Sequence, residues 1–342
     1  KNISKVSISN KPSVTQLERE IVDDMMRFGW DNFGYLKKFE TEFAKYHNKK
    51  YCLLLPSFKM VTNIVLKLIN ISKKKKIAIS DLCDKIIVEC INELKIKKNY
   101  VKINKDNFLI DQNDLNKKIK AILFGDLFGN ISHLEKIKNI CKKNKTILIE
   151  DISDSLGQKH KNFKSGNFGD IIICSFSKDK VITCGEGGAL ITNNKKIFLD
   201  AKKIRDERKL LINDNSKINL YFKPTNLQSA MIYGQFKRIN DIIRNKKRIL
   251  NTYQKNFSKF NVKLFGSNSI FIEFAKNYNV KINSLINYLE KSGIYIDQIS
   301  SSENLHLKKL KKNLIILPSS SDLKNDQINF ISNKIKIFLE RK

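Results

Sequence analysis

Two apolar runs in this 342-residue chain end on residues that can do chemistry. Ile147-Leu148-Ile149 leads into Glu150-Asp151, and Ile171-Ile172-Ile173-Cys174 leads into Ser175-Phe176-Ser177-Lys178-Asp179-Lys180. Gly185-Glu186-Gly187-Gly188 follows, then a third apolar run, Ala189 to Ile191. Runs of this length read as buried strands. Open α/β sheets put their ligands beyond the carboxyl ends of their strands. A carboxylate at Asp151 and an amine at Lys180 would then reach one rim, beside a glycine-rich turn. A lysine amine can hold an aldehyde as a Schiff base. A buried carboxylate can keep a ring nitrogen protonated. Hydroxyls such as Ser175 and the N–H groups of a helix start can hold a phosphate. Pyridoxal phosphate asks these three things of a protein. Taken singly, each signal has a plain structural reading: a solvated lysine, an aspartate in a turn, a tight turn of glycines. Their order and spacing carry the inference.

The elements that must position these residues alternate. Residues 12 to 28 predict a helix with a stripe of Leu17, Ile21, Met25 and Met26, capped by Ser13 or Thr15. Leu36, Phe39, Phe43 and Tyr46 mark a second helical face. Tyr51 to Leu55 has strand length, and Met60 to Ile69 is helical. Strand and helix patterns then alternate through Ile77-Ala78-Ile79, Ile86 to Leu94, Tyr100 to Ile103, Ala121 to Phe124 and His133 to Asn144. This predicts an α/β domain with a mostly parallel sheet flanked by helices. Beyond residue 225 the pattern changes. Asn226 to Phe257 reads as one long helix, Val262 to Phe274 as strand, Ile282 to Ser292 as helix, Leu314 to Leu317 as strand and Asp326 to Leu339 as helix. The expected organisation is a large cofactor-binding α/β domain over 1–235, N-terminal helix included, and a smaller C-terminal α+β domain over 236–342.

Composition narrows the function classes. Lys and Arg number 65 against 34 Asp and Glu, a formal charge of +31. The lysines are spread along the whole chain, mostly between apolar segments, and no helix-turn-helix, zinc-finger or RNP-like pattern accompanies them. A solvated surface, in a chain equally rich in Asn and Ile, accounts for the charge without a nucleic-acid partner. The field would still attract an anionic substrate. The six cysteines and four histidines show no metal-ligand spacing, so no metal site is expected. Thiols within apolar runs point to a reducing, cytoplasmic setting. No long uncharged apolar stretch predicts membrane insertion.

Over nearly its full length the chain resembles the DegT/StrS-type sugar-nucleotide aminotransferases, of pyridoxal phosphate fold type I. The resemblance runs through Gly29-Trp30, Gly34, Phe39-Glu40 and Phe43-Ala44, then Leu127-Phe128-Gly129-Asn130 and Glu150-Asp151 with Gly157. It continues through Ser175-Phe176 with Lys180 and Gly185-Glu186-Gly187-Gly188, then Thr225 to Ala230, Gly293-Ile294 and Leu317-Pro318. The resemblance implies that Lys180 bonds the cofactor and later carries a proton, that Asp151 pairs with the pyridinium nitrogen and that Ser175 contacts the phosphate. It implies a homodimer with active sites at the interface, glutamate as amino donor, and a nucleotide-linked keto sugar as acceptor. The product would be an amino sugar for a surface polysaccharide or glycoconjugate. Trp30, Tyr221 and Lys223 are the candidate substrate residues.

Four positions depart from the family pattern, all at cofactor contacts. The phosphate loop, usually Ser-Gly-Thr, reads Ser57-Phe58-Lys59. A phenylalanine there would crowd a close backbone approach, while Lys59 could serve as a point-charge phosphate ligand or be solvated. Asp84 falls where an aromatic or apolar residue usually stacks on the cofactor ring. Asp154 stands where Gln or His usually meets the phenolate oxygen, which an anion would repel. Tyr221 takes the place of an Asn that the partner subunit normally offers to the phosphate. Two alternatives follow: altered chemistry such as a sugar dehydration, or a non-catalytic homologue that binds a sugar nucleotide or a partner. Retention of Lys180 disfavours the dehydratases, in which His replaces it.

Overall fold

The structure is a computed structural model that describes residues 8–30, 34–71, 75–80, 83–102, 115, 119–125, 134–207, 223–296 and 313–340. By contacts the chain forms two units, Val14–Ile239 and Asn240–Lys342, the second joined by Lys1–Ser13. This differs from the 1–235 and 236–342 division in placing the segment ahead of Val14 with the second unit.

The first unit holds α1 (Gln16–Phe28), α2 (Gly34–Tyr46), β1 (Tyr51–Leu55), α3 (Phe58–Leu68), β2 (Lys76–Ser80), α4 (Lys85–Glu93) and β3 (Lys98–Val101). It continues with β4 (Ile119–Gly125), α5 (Leu134–Asn144), β5 (Ile147–Asp151), a two-residue hairpin β6 (Lys159–His160) and β7 (Phe163–Lys164), β8 (Ile171–Ser175) and β9 (Gly188–Thr192). Helices α6 (Lys195–Glu207) and α7 (Asn226–Lys237) complete it. Seven strands form one sheet in the order β1-β9-β8-β5-β4-β2-β3. The neighbours from β8 to β3 pair in parallel, whereas β9 runs antiparallel to both β1 and β8. Every residue of β8 and β9 is buried, as expected of strands covered on both faces. Gly188 shows how tightly one cover packs: a Cβ there would lie 2.8 Å from Val61 Cγ2 and 3.1 Å from the Cα of Phe58 on α3.

The second unit is α+β. Helix α8 (Ile239–Asn256), which begins at the border, α9 (Ile282–Lys291) and α10 (Asn325–Glu340) accompany a three-stranded antiparallel sheet. Its strands are β10 (Val262–Gly266), β11 (Ile270–Phe274) and β12 (Leu314–Leu317). Ile249, Tyr253, Phe274, Leu289, Leu317 and Ile331 belong to its separate core. Ile8 joins it by backbone bonds with Gly293 and Tyr295.

Two expectations need correction. The single helix expected from Asn226 to Phe257 is two helices, because the backbone at Arg238 leaves helical geometry (φ −99°, ψ 8°). Its guanidinium instead holds buried Glu18 of α1 at 2.5 Å. The continuous strand expected from Val262 to Phe274 is a hairpin, turned at Gly266 with φ +101°, a region that favours glycine.

Candidate active site

Side chains alternate across a strand, so the two acids that close β5 leave by opposite faces. Glu150 accepts from the backbone N–H groups of Gly166, Phe168 and Gly169 at 2.6, 3.0 and 2.6 Å. Asp151 comes out at the rim, level with Gly125 at the end of β4. Its Oδ1 takes two bonds from Ser153, from N at 3.0 Å and from Oγ at 2.5 Å. Its Oδ2 takes none among the described residues and lies beside Gly125, which has no side chain to cover it. Burial pushes the Asp151 carboxyl up to about 7; the Ser153 bonds oppose this, and the charges of Asp154 and Asp84 add to it. Its electrostatic surroundings therefore call for a cation or an N–H donor at Oδ2.

The raised value has a pH consequence. Between the ordinary aspartate value of 3.8 and about 7, folded Asp151 holds a proton that the unfolded chain releases. Its contribution to stability is complete below that window and is lost as pH rises through about 7. In cofactor-free protein, Asp151→Asn should therefore gain thermal stability relative to wild type as pH rises across this window. Melting curves at several pH values check this, and a Tm difference that does not vary with pH would count against it.

Lys180 rides on a loop anchored at its base. Phe176 is fully buried, and its ring meets Phe39 and Phe43 of α2 edge-on at 5.6 and 5.7 Å. The Phe176 carbonyl accepts from Thr183 Oγ1 at 2.9 Å and Cys184 N at 3.2 Å, and its N–H donates to Gly187. Gly185 makes the turn with φ +85°. The Lys180 side chain is 11% exposed, with Nζ 2.9 Å from Asp154 Oδ1 and 3.3 Å from Asp179 Oδ2.

A chain of short bonds connects the two candidate catalytic groups. Ser153 Oγ, bonded to Asp151, accepts from Ser175 N at 2.9 Å. Ser175 Oγ lies 3.0 Å from Ser177 Oγ, which donates to Asp179 at 2.9 Å, and Asp179 meets Lys180. Ser153, Ser177 and Asp179 were not foreseen. The signal for Ser153 and Ser177 is a hydroxyl two residues after a buried strand end, the spacing at which such residues close local turns.

The other expected residues fall as follows. Ser57 caps α3, accepting from Met60 N at 3.2 Å. The N–H groups of Phe58 and Lys59 make no hydrogen bond among the described residues, which leaves a helix start suited to an anion. Phe58 is 1% exposed and joins the core with Leu55 and Val61, so the bulk at that position is taken up inside. Lys59 pairs on the surface with Glu93 of α4 at 2.6 Å, which takes its ammonium to another helix. Gln228, on α7, donates to the carbonyls of Pro56 and Glu186 at 3.1 and 2.8 Å, tying the α3 start to the glycine turn. Asp84 caps α4 by accepting from Ile86 N at 2.8 Å, and its charge reaches both Asp151 and Lys180. Asp154, foreseen as a repelling anion, is paired with Lys180. Trp30 is 65% exposed, and its carbonyl accepts from Asn226 Nδ2 at 2.7 Å. Lys223 is half-buried just ahead of α7. Tyr221 and Leu127 to Asn130 lie outside the described residues. No group of three or more His, Cys, Asp or Glu suited to a metal occurs among the described residues.

The family model for the DegT/DnrJ/EryC1/StrS aminotransferase family matches residues 12–268. A GDP-perosamine synthase from Escherichia coli O157:H7 is 26% identical over 256 residues, which is 72% of this chain and 70% of that protein. Helicobacter pylori PseC, an aminotransferase involved in the biosynthesis of pseudoaminic acid, superposes with a TM-score of 0.85 at 18% identity, covering 98% of this chain and all of that one. The PLP form of a putative sugar aminotransferase, Spr1654 from Streptococcus pneumoniae, gives a TM-score of 0.83 at 18% identity, covering 98% and 99% of the two chains. The fold is that of fold type I pyridoxal phosphate enzymes, as the sequence resemblance implied.

Proposed function

Because this chain belongs to the DegT/DnrJ/EryC1/StrS aminotransferase family, we propose that it is a pyridoxal phosphate-dependent aminotransferase that places an amino group on a keto sugar nucleotide. The observation that carries this reading is the delivery of Asp151 and Lys180 to one rim, joined by the hydrogen-bond chain through Ser153, Ser175, Ser177 and Asp179. The residues fit the cofactor. Oδ2 of Asp151 is open to a ring N–H, the Phe58 and Lys59 N–H groups and the Ser57 and Ser175 hydroxyls are available to a phosphate, and Nζ of Lys180 would meet an aldehyde once it has given up its extra proton. Bound, the cofactor supplies an electron sink for breaking a bond at the amine-bearing carbon. Asp151 keeps that sink protonated by charge pairing. Lys180 would hold the cofactor and would carry a proton at its Nζ.

Glutamate is the proposed donor, and a homodimer with shared sites the proposed assembly. The name of the E. coli relative makes a GDP-linked keto sugar the first acceptor to try. The +31 charge favours capture of such an anion. No helix among the described residues is long and apolar enough to cross a membrane, and all six thiols are free. The proposed setting is the cytoplasm, and the proposed end use an amino sugar for a surface polysaccharide or glycoconjugate. In the test, protein loaded with pyridoxal phosphate is followed by its visible absorption. Glutamate should convert the band to that of the aminated cofactor, and a nucleotide keto sugar should restore it. A band indifferent to every amino acid donor would favour the non-catalytic homologue instead.

A further inference from the structure

The role of Lys180 leaves its partners to be explained. Three carboxylates from three segments act on one amine: Asp154 after β5, Asp179 in the same loop as Lys180, and Asp84 at the start of α4. The Cys174 thiol, at the end of β8, is also within electrostatic reach of it. Burial alone would lower the lysine's affinity for its proton, but the carboxylates reverse this and hold it above the usual lysine range. An ammonium has no lone pair. To join an aldehyde, the nitrogen must first shed its extra proton to solvent or to a carboxylate. It then adds to the carbonyl carbon, and the oxygen leaves as water.

We propose that Asp154 is a positioning residue that clamps Lys180 as an ammonium and thereby sets the pH at which the protein captures its cofactor. This rests on the reading of Lys180 given above. Asp154 is assigned ahead of Asp179 because its contact is shorter, 2.9 against 3.3 Å. The Asp154 side chain is 49% exposed, so an Asn there leaves the core intact.

The experiment mixes cofactor-free wild type, Asp154→Asn, Asp154→Glu and Asp179→Asn with pyridoxal phosphate over a range of pH. Visible absorption gives the half-loading pH. Borohydride reduction followed by peptide mass spectrometry gives the position of the adduct. Asp154→Asn should lower the half-loading pH by about one unit or more, the scale of a neighbouring opposite charge. Asp154→Glu should stay near wild type, and Asp179→Asn should shift less than Asp154→Asn. Added salt should lower the midpoint more in wild type than in Asp154→Asn, because a half-exposed partner is screened. Equal midpoints for wild type and Asp154→Asn, or midpoints equally sensitive to salt, with the adduct on Lys180, overturn the clamp and leave the proposed function standing. An adduct elsewhere, or none at any pH, overturns both.

Discussion

Lys180→Ala is expected to yield a folded protein that shows no visible cofactor band and transaminates about a thousandfold more slowly or worse, the range in which a positioned proton carrier acts. Two jobs vanish together. The covalent hold on the aldehyde is lost, and so is the nitrogen that would move the substrate proton. The loss falls on chemistry because the loop is anchored through Phe176 and Thr183, which the substitution leaves in place. Removing the ammonium also takes away a cation that Asp154 and Asp179 share. A modest fall in Tm, larger at neutral than at acid pH, should accompany the lost activity. Absorption spectra, circular dichroism and single-turnover rates separate these effects. A variant that keeps the band would remove the basis of the proposed function.

Arg205→Ala should destabilise the first unit by about 3–5 kcal/mol, the cost of stranding a buried carboxylate by removing its partner. Arg205 is 4% exposed on α6; its Nη1 meets Glu40 of α2 at 2.5 Å and donates to the Leu54 carbonyl on β1 at 3.1 Å. Glu40 in turn accepts from Leu54 N at 2.8 Å, so one ion pair fastens two helices to an edge strand. Burial pushes the Glu40 carboxyl up even with the guanidinium beside it. Without the arginine it would be a largely buried acid with no cation bonded to it. Denaturant titration measures the loss. The double variant Glu40→Leu, Arg205→Leu should lose much less, since apolar replacements of a buried pair are often near neutral. A double variant as weak as the single one would show that packing, not charge, dominates.

The chemistry-bearing part of the fold was legible because it is written in uninterrupted apolar runs. β5, β8 and β9 are buried along nearly their whole length, so their ends, with Asp151 and Ser175, could be placed from the sequence. The break at Arg238 was not legible. No glycine or proline stands between α7 and α8 to mark the break, and Arg238 at the break bonds Glu18, more than two hundred residues away in sequence. The fate of Phe58 depends on tertiary packing in the same way, since its ring joins a core that the local pattern does not reveal. Lys59 was read as either a phosphate ligand or a solvated side chain. A surface acid on the next helix, Glu93, holds it instead. Ser153 and Asp179 escaped notice because short hydroxyl and carboxyl side chains carry no periodic signal, and their roles appear only when two strand ends come side by side.

Glu150 and Asp151 are adjacent in sequence yet do opposite kinds of work. Three peptide N–H groups hold the first, and Gly169 approaches so closely that a methyl group there would lie 2.8 Å from the Glu150 Cβ. That grip lies on the opposite face of the sheet from the Asp151 side chain. Mutations that diversify the rim for new acceptors can therefore accumulate without loosening the bolt behind it. The strand end that carries Asp151 is thereby fixed independently of the side chains around it.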